Sequence, residues 1–372
     1  MMGSPPFVAA PRRVAWWLMV AAAVAACGSP SSTAGRSPSP SPSATPTVQV
    51  SASPSPQAVT VPYGVLVSSQ AANSYSVSLV GVDSRVVATS EASTPTPVTC
   101  ANAAGAPVPL PVSMSNSRVY YMDAQGVVRY LAPGGDSGRA TTVPAGTATR
   151  RSMFAVSPDD QRIAVIVDDY TTSGAATRLY VEDLNGGGNH LDIFSENGAR
   201  TLWPVGWHGT QNLVVAVVPS CTQGGGPFCC GVQELHVVDP ASAQRRFTLG
   251  GITSCLIVGS ASPAGAICWD GTNSKVLNWT AGTIRTFPVP GPEIQLLSPN
   301  GSQVALIDNN GTTMQGTKVS IAGLFACTWI DDAHVLSGGD PQHPPRIADV
   351  SNGNMVSVAA QGDCGGRLPG GL

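Results

Sequence analysis

Nine cysteines are the residues of this 372-residue chain best suited to chemistry. Cys27 stands alone near the N-terminus, and Cys100, Cys221, Cys229, Cys230, Cys255, Cys268, Cys327 and Cys364 are spread over the remainder. A thiolate can be acylated, can ligate a soft metal, or can be oxidised to a disulfide. A zinc site needs Cys-x-x-Cys pairs or histidines at ligand spacing, and neither is present. The even set after Cys27 therefore reads as disulfides. One pairing follows from register. A hairpin around Ser262-Pro263 with Val258 opposite Gly265 sets Ile257 against Ala266, Leu256 against Ile267 and Cys255 against Cys268. Opposed strand residues lie within disulfide reach. Cys221 is expected to close with Cys229 or Cys230, and Cys327 with Cys364.

Carboxylates are the other candidates. They occur as the pairs Asp159/Asp160, Asp168/Asp169 and Asp331/Asp332. Two converging carboxylates could cleave a glycosidic bond, yet each pair sits in or beside a turn, where a solvated role is expected. Asp308-Asn309-Asn310-Gly311 gathers hard oxygen ligands but lacks the distal glutamate of a calcium loop, and these types also build tight turns. There is no Gly-x-Ser-x-Gly elbow, no His-Glu-x-x-His and no glycine-rich phosphate loop. No catalytic residue, no metal and no cofactor is assigned. Trp203, Trp207, Trp269, Trp279 and Trp329, with His208 and His334, recur beside turns and are expected to serve packing.

These residues are carried on a chain with a marked N-terminal organisation. Arg12 and Arg13 precede thirteen apolar residues, Val14 to Ala26, too few for the roughly 20 that span a bilayer. The segment then reads Val24-Ala25-Ala26-Cys27. This resembles the bacterial lipobox, and the resemblance implies that 1–26 is a cleaved signal peptide and that Cys27 carries lipid, palmitate included. The export route stays open between the general and twin-arginine pathways. Residues 27–60 continue as lipid attachment and a Ser/Pro-rich stalk, as in Ser37-Pro38-Ser39-Pro40, which buries no core and is expected to be disordered. Such a run could reach on the order of 90 Å at about 3.1 Å per residue.

Residues 61–372 are long enough for a large core. Charged residues make up 11%, the net charge is −3, and no basic stripe exists, so nucleic acid is not an expected partner. Forty-one glycines and no sustained helical periodicity point to strands and turns. A weak unit recurs: a strand, a polar turn, then a short apolar strand. Ser157-Pro158-Asp159-Asp160 leads into Ile163 to Val167, Ser298-Pro299-Asn300-Gly301 into Val304 to Ile307, and Ser262-Pro263-Ala264-Gly265 into Ile267-Cys268-Trp269. Trp207-His208-Gly209 and Trp329-Ile330-Asp331-Asp332 replace the Ser-Pro turn in two more copies. Residues 74–79 alternate polar and apolar, which predicts a half-buried strand. The apolar strands recur about every 45 residues, the length of a four-stranded propeller blade. The expected fold is all-β, a single β-propeller over 61–372 with seven blades, six being the alternative. The last unit counts about three strands, so the stretch 61–67 is expected to complete its sheet.

The Ser-Pro-Asp-Asp and Ser-Pro-Asn-Gly turns resemble the repeat of TolB-like propellers and of the propeller domain of prolyl oligopeptidases. The resemblance covers roughly 61–360 and implies architecture only. The peptidases keep their triad in a separate domain for which this chain has no room, so no catalytic residue carries over.

Three segments break the pattern: residues 90–112, the glycine- and cysteine-rich 219–232, and 337–345. If they share one face, that face is the expected contact surface. The reading is thus an extracytoplasmic, lipid-anchored monomer, non-enzymatic, whose partners are the membrane, through the anchor, and a protein, peptide or glycan ligand. The alternative is an envelope or extracellular carbohydrate hydrolase or lyase using carboxylates at the channel.

Overall fold

The computed structural model describes residues 56–71, 73–98, 111–220, 231–291, 293–340 and 342–372. The signal segment, Cys27, nearly all of the stalk, Cys100, Cys221, Cys229 and Cys230 lie outside them. The described residues form strands and turns without a helix.

Among the described residues, twenty-eight strands pair into seven four-stranded antiparallel sheets, the blades of a propeller. Blade 1 holds Tyr63–Ala71, Ser74–Gly81 and Val86–Ser93, with Asp363–Leu368 from the other end of the chain. Blade 2 holds Val112–Met114, Val119–Met122, Val127–Leu131 and Ser137–Thr142. Blade 3 holds Arg150–Val156, Arg162–Thr171, Gly174–Asp183 and Leu191–Gly198. Blade 4 holds Arg200–His208, Asn212–Pro219, Glu234–Val238 and Arg245–Leu249. Blade 5 holds Leu256–Ile257, Ala266–Trp269, Asn273–Leu277 and Thr283–Pro288. Blade 6 holds Ile294–Leu297, Val304–Asp308, Gly311–Met314 and Ser320–Ala322. Blade 7 holds Ala326–Trp329, His334–Ser337, Arg346–Asp349 and Met355–Ser357.

The first strands of blades 6 and 7 touch, then Asp363–Leu368, then the first strands of blades 2, 3 and 4, and so form the inner wall of the ring. The fourth strands lie outside and are largely exposed, as in Leu191–Gly198 and Thr283–Pro288. The strands between have neighbouring blades on both faces. That corrects the expectation for residues 74–79: in Ser74–Gly81 every residue after Ser74 is buried, Ser76 and Ser78 included. Alternation there reflects two covered faces that differ in polarity, and one strand read alone cannot tell covered from wet.

Ring closure also differs from expectation. Blade 7 is complete on its own strands. Asp363–Leu368 instead pairs antiparallel with Tyr63–Ala71, Tyr63 facing Leu368 and Val67 facing Asp363. The two ends of the domain do meet, but the C-terminal strand completes the N-terminal blade. The entry strand Ala326–Trp329 is the first strand of blade 7 itself, which gives that blade its full four.

The repeated turn has a physical basis. Ser157 Oγ accepts the amide of Arg162 at 2.9 Å and donates to Asp159 at 2.6 Å, while Asp160 N bonds the Ser157 carbonyl. Ser298 repeats this, accepting from Gln303 N at 3.0 Å and bonding Asn300, with Gly301 N on its carbonyl. The fourth residue takes a left-handed backbone in both, φ 59° at Asp160 and 76° at Gly301, a conformation open to Asp and Gly. Two tryptophans bolt blades together. Trp207 Nε1 donates to the Ala155 carbonyl of blade 3, and Trp329 Nε1 to the Leu296 carbonyl of blade 6, each at 3.0 Å.

Candidate binding face

Antiparallel order sends the turns of each blade to two faces. The link between first and second strands emerges on one, called here the turn face. The link between second and third strands, and the link to the next blade, emerge on the other, the loop face. On the turn face the turns are tied one to the next. Asn116 N bonds the Pro158 carbonyl, Arg162 Nη2 the Thr210 carbonyl, Ser262 Oγ the Ser298 carbonyl at 2.8 Å, and Asn300 N the Asp332 carboxylate at 2.8 Å. Residues after Leu368 run along this belt. Gly370 N bonds the Ser115 carbonyl, Leu372 N bonds the Trp207 carbonyl, and His208 Nδ1 lies 2.8 Å from Leu372 O. Val59 N bonds the Asn116 carbonyl, so residues 56–62 also join the ring at the turn face.

The three irregular segments all belong to the loop face. Residues 94–111 link blade 1 to blade 2, 220–233 join the second and third strands of blade 4, and 338–345 join the corresponding strands of blade 7. The middle parts of the first two lie outside the described residues. The third is a closed turn, in which Asp340 accepts the amides of Gln342 at 2.7 Å and His343 at 2.8 Å. Beside it, Cys327 of blade 7 is bonded to Cys364 on the closing strand, Cα–Cα 5.9 Å.

Cys255 is bonded to Cys268 at a Cα–Cα distance of 5.2 Å. The register beneath this bond differs from the expected one. Ile257, not Cys255, faces Cys268, and Leu256 faces Trp269. Gly265 explains the shift. It closes a tight turn as partner of Ser262 at φ 143°, and a Cβ there would stand 1.8 Å from the Leu277 carbonyl oxygen. The hairpin is tighter than a Val258–Gly265 pair would make it. Two such disulfides are the chemistry of an oxidising compartment.

The acidic pairs are consumed by folding. Asp160 accepts hydroxyls from Ser117 at 2.6 Å and Tyr120 at 2.7 Å across the blade 2–3 interface. Asp169 pairs with Arg150 at 2.8 Å, and Asp331 caps the amides of Ala333 and His334. Asp308 accepts the amides of Asn310 and Gly311, which makes its segment a turn. Among the described residues no three His, Cys, Asp or Glu side chains stand close enough to hold a metal. Asp168 differs from these in having an unpaired oxygen. It is wholly buried, its Oδ1 accepts the Thr177 hydroxyl at 2.6 Å, and its Oδ2 has no hydrogen-bond partner. Burial pushes its pKa up to about 7, with Thr177, Tyr170 and Arg151 acting against the rise and Asp169 adding to it.

Sequence reasoning missed one concavity, a groove of about 430 Å³ between blades 3 and 4. Leu179, Phe194 and Glu196 form one wall; Leu202, Val217, Glu234 and His236 form the other. His236 Nε2 lies 2.8 Å from Glu234 Oε1. Burial lowers the His236 pKa despite that contact. The signal was faint, because Glu196 and Glu234 lie far apart in sequence and only blade packing brings them to one groove.

No known protein family matches the chain, and no curated protein matches it. Solved structures similar to it include an oligogalacturonate lyase in complex with manganese, at 13% identity over 77% of this chain and 70% of that one, TM-score 0.36. The acylaminoacyl peptidase of Pyrococcus horikoshii shares 10% identity over 80% of this chain and 52% of its own, TM-score 0.43. BamB from Moraxella catarrhalis shares 11% over 68% and 76%, TM-score 0.37. Likeness at this level concerns the fold and carries no argument about activity; the propeller itself rests on the strand pairings above.

Proposed function

We propose that this chain is a lipid-anchored extracytoplasmic protein that binds a protein, peptide or glycan ligand through its loop face and performs no chemistry on it. The observation that carries the reading is the division of labour between the faces. All three irregular segments start and finish on the loop face, whereas residues 56–62, the path to the stalk and Cys27, join at the turn face. Residues 56–62 thus reach the ring on the face opposite the ends of the irregular segments. The disulfides support a compartment outside the cytoplasm. Anchoring is tested by Cys27→Ala, which should accumulate uncleaved or be shed; a mature-sized variant that still fractionates with membranes would sink it. Binding is tested on peptide and glycan arrays. Hits should vanish when 99–110 and 221–230 are replaced by Gly-Ser linkers, and persist when the turn at 315–319 is replaced. The opposite pattern would overturn the face assignment.

A second reading has one observation in its favour. Glu196 and Glu234 both line the blade 3–4 groove, beside the aromatic ring of Phe194, and a pair of carboxylates is the equipment of a carbohydrate-cleaving site. Release of reducing ends from a polysaccharide panel, abolished by Glu196→Gln, would establish it. Absence of release with the unaltered chain dismisses it.

A further inference from the structure

The loop face has chemistry of its own across blades 5, 6, 7 and 1. At three successive links into inner strands it exposes a large apolar side chain: Ile252 at 58%, Ile294 at 59% and Phe325 at 51%. Each lies in or at the end of the link that enters a first strand, though at a different distance from it. Ile252 lies in the link into blade 5, Ile294 begins the first strand of blade 6, and Phe325 immediately precedes that of blade 7. The first strands of blades 6 and 7 touch, so Ile294 and Phe325 stand at the loop-face ends of adjacent inner strands. Single exposed apolar residues are ordinary, whereas three large ones at successive blade links on one face are a candidate interaction surface.

Acidic groups frame the run. Glu293 precedes Ile294, and Asp308 follows Ile307, the residue that faces Ile294. Asp363 begins the closing strand, which lies against the strand that Phe325 leads into. Asp308 and Asp363 are exposed. The cations of the sector are Lys275, whose ammonium is 2.9 Å from Asp270, and Arg346. Of the irregular segments, residues 99–110 and 221–230 contain no charged side chain, and 338–345 adds Asp340, which caps the amides of Gln342 and His343 and lies beside the His343 ring. The sector is therefore anionic around an apolar centre.

We infer that this sector docks a cationic, apolar segment of a partner protein, with apolar side chains on Ile252, Ile294 and Phe325 and Lys or Arg side chains toward Glu293, Asp308 and Asp363. The inference rests on the loop-face reading and adds the chemistry of what that face accepts. Apolar contact at the centre of such a surface supplies affinity, and the surrounding charge supplies selection between partners and salt dependence.

The test uses the mature chain and two labelled twelve-residue peptides of equal leucine content, one carrying lysine and one glutamate, read by fluorescence anisotropy. The lysine peptide should bind and the glutamate peptide should not. Raising salt from 0.05 to 0.5 M, which shortens the screening length from above about 10 Å to well below it, should weaken binding several-fold. Ile294→Ser with Phe325→Ser should weaken it at least about tenfold, the scale of a lost hot spot. Glu293→Gln with Asp363→Asn should weaken it by about threefold and flatten the salt dependence. Both substituted pairs are at exposed or half-exposed sites, and an unchanged melting temperature confirms folding. Equal binding of both peptides, or binding indifferent to the Ile294/Phe325 pair, overturns the inference. If both peptides bind but are lost on replacing 221–230, the loop face stands and only its charge preference fails. Loss on replacing 315–319 instead removes both.

Discussion

The hydroxyl of Tyr120 donates to the Asp160 carboxylate at 2.7 Å, joining blade 2 to the turn of blade 3 in a site where Tyr120 is 0% and Asp160 5% exposed. Burial and the adjoining carboxylate hold the Tyr120 hydroxyl protonated far above its ordinary range, so it acts only as a donor. Asp160→Ala leaves the hydroxyls of Tyr120 and Ser117 without their acceptor and puts a Cβ residue without a side-chain partner at φ 59°. A loss of about 2–4 kcal/mol is expected. Asp160→Gly removes the backbone strain but not the polar loss and should cost less. Urea melts that rank glycine below alanine in stability would refute the backbone part.

Ring closure predicts a sharp asymmetry between truncations. Removing 363–372 exposes the edge of Tyr63–Ala71 and breaks the Cys327–Cys364 bond. The chain should lose cooperative unfolding or melt many degrees lower, and deleting 61–68 should do the same from the other side. Deleting 29–55 should move the melting temperature by no more than about a degree, because a Ser/Pro-rich composition supplies few side chains for a core. Comparable melts for all three chains would rule out closure by this strand pair.

Asp168 predicts a pH dependence of defined sign. Its folded pKa, about 7, lies above the unfolded value of a free aspartate. Its contribution to stability is therefore fully present below about pH 4 and is lost as pH rises through 7. Three units correspond to roughly 4 kcal/mol of penalty at higher pH. Asp168→Asn should stabilise the protein at pH 8, change little at pH 4, and flatten the profile between. Stability of the unaltered protein that rises from pH 5 to 8, with the variant parallel to it, would contradict the burial argument.

Blade 5 should depend on its disulfide more than a whole-molecule average suggests, since its first strand spans only Leu256–Ile257. The Cys255–Cys268 bond closes a loop with a sequence separation of 13. Cys255→Ala with Cys268→Ala should cost about 3 kcal/mol on the chain-entropy account. Hydrogen exchange should show the loss first in residues 255–269. A non-reducing peptide map that places Cys255 and Cys268 in different bridges would overturn the pairing.

Much of the architecture was legible in the sequence because two Ser-Pro turns keep every group the turn uses: the serine hydroxyl, the Asp or Asn two residues on, and a fourth residue that tolerates left-handed backbone. Those two identify the turn, and the period of about 45 residues, with seven blades or six, comes from the apolar strands that recur between residues 65 and 335. What was not legible depended on neighbours distant in sequence. The burial of Ser76 and Ser78 is set by adjacent blades, and the closing strand Asp363–Leu368, with its Gly365-Gly366 pair, carries little β-propensity and reads as a tail. The face shared by residues 94–111, 220–233 and 338–345 follows from strand direction once the blades are counted correctly. The apolar run of Ile252, Ile294 and Phe325 was hidden, because an isolated Ile or Phe beside a strand reads as core.

The pairing of Tyr63–Ala71 with Asp363–Leu368 also imposes an order in time. Synthesis delivers the N-terminal strands first and the closing strand last. Until Asp363–Leu368 arrives, blade 1 has three strands and an open edge, and no earlier segment of the chain is its native partner. A nascent chain thus cannot latch its ring until Asp363–Leu368 has emerged. Delayed closure leaves Tyr63–Ala71 open to mispairing in that interval.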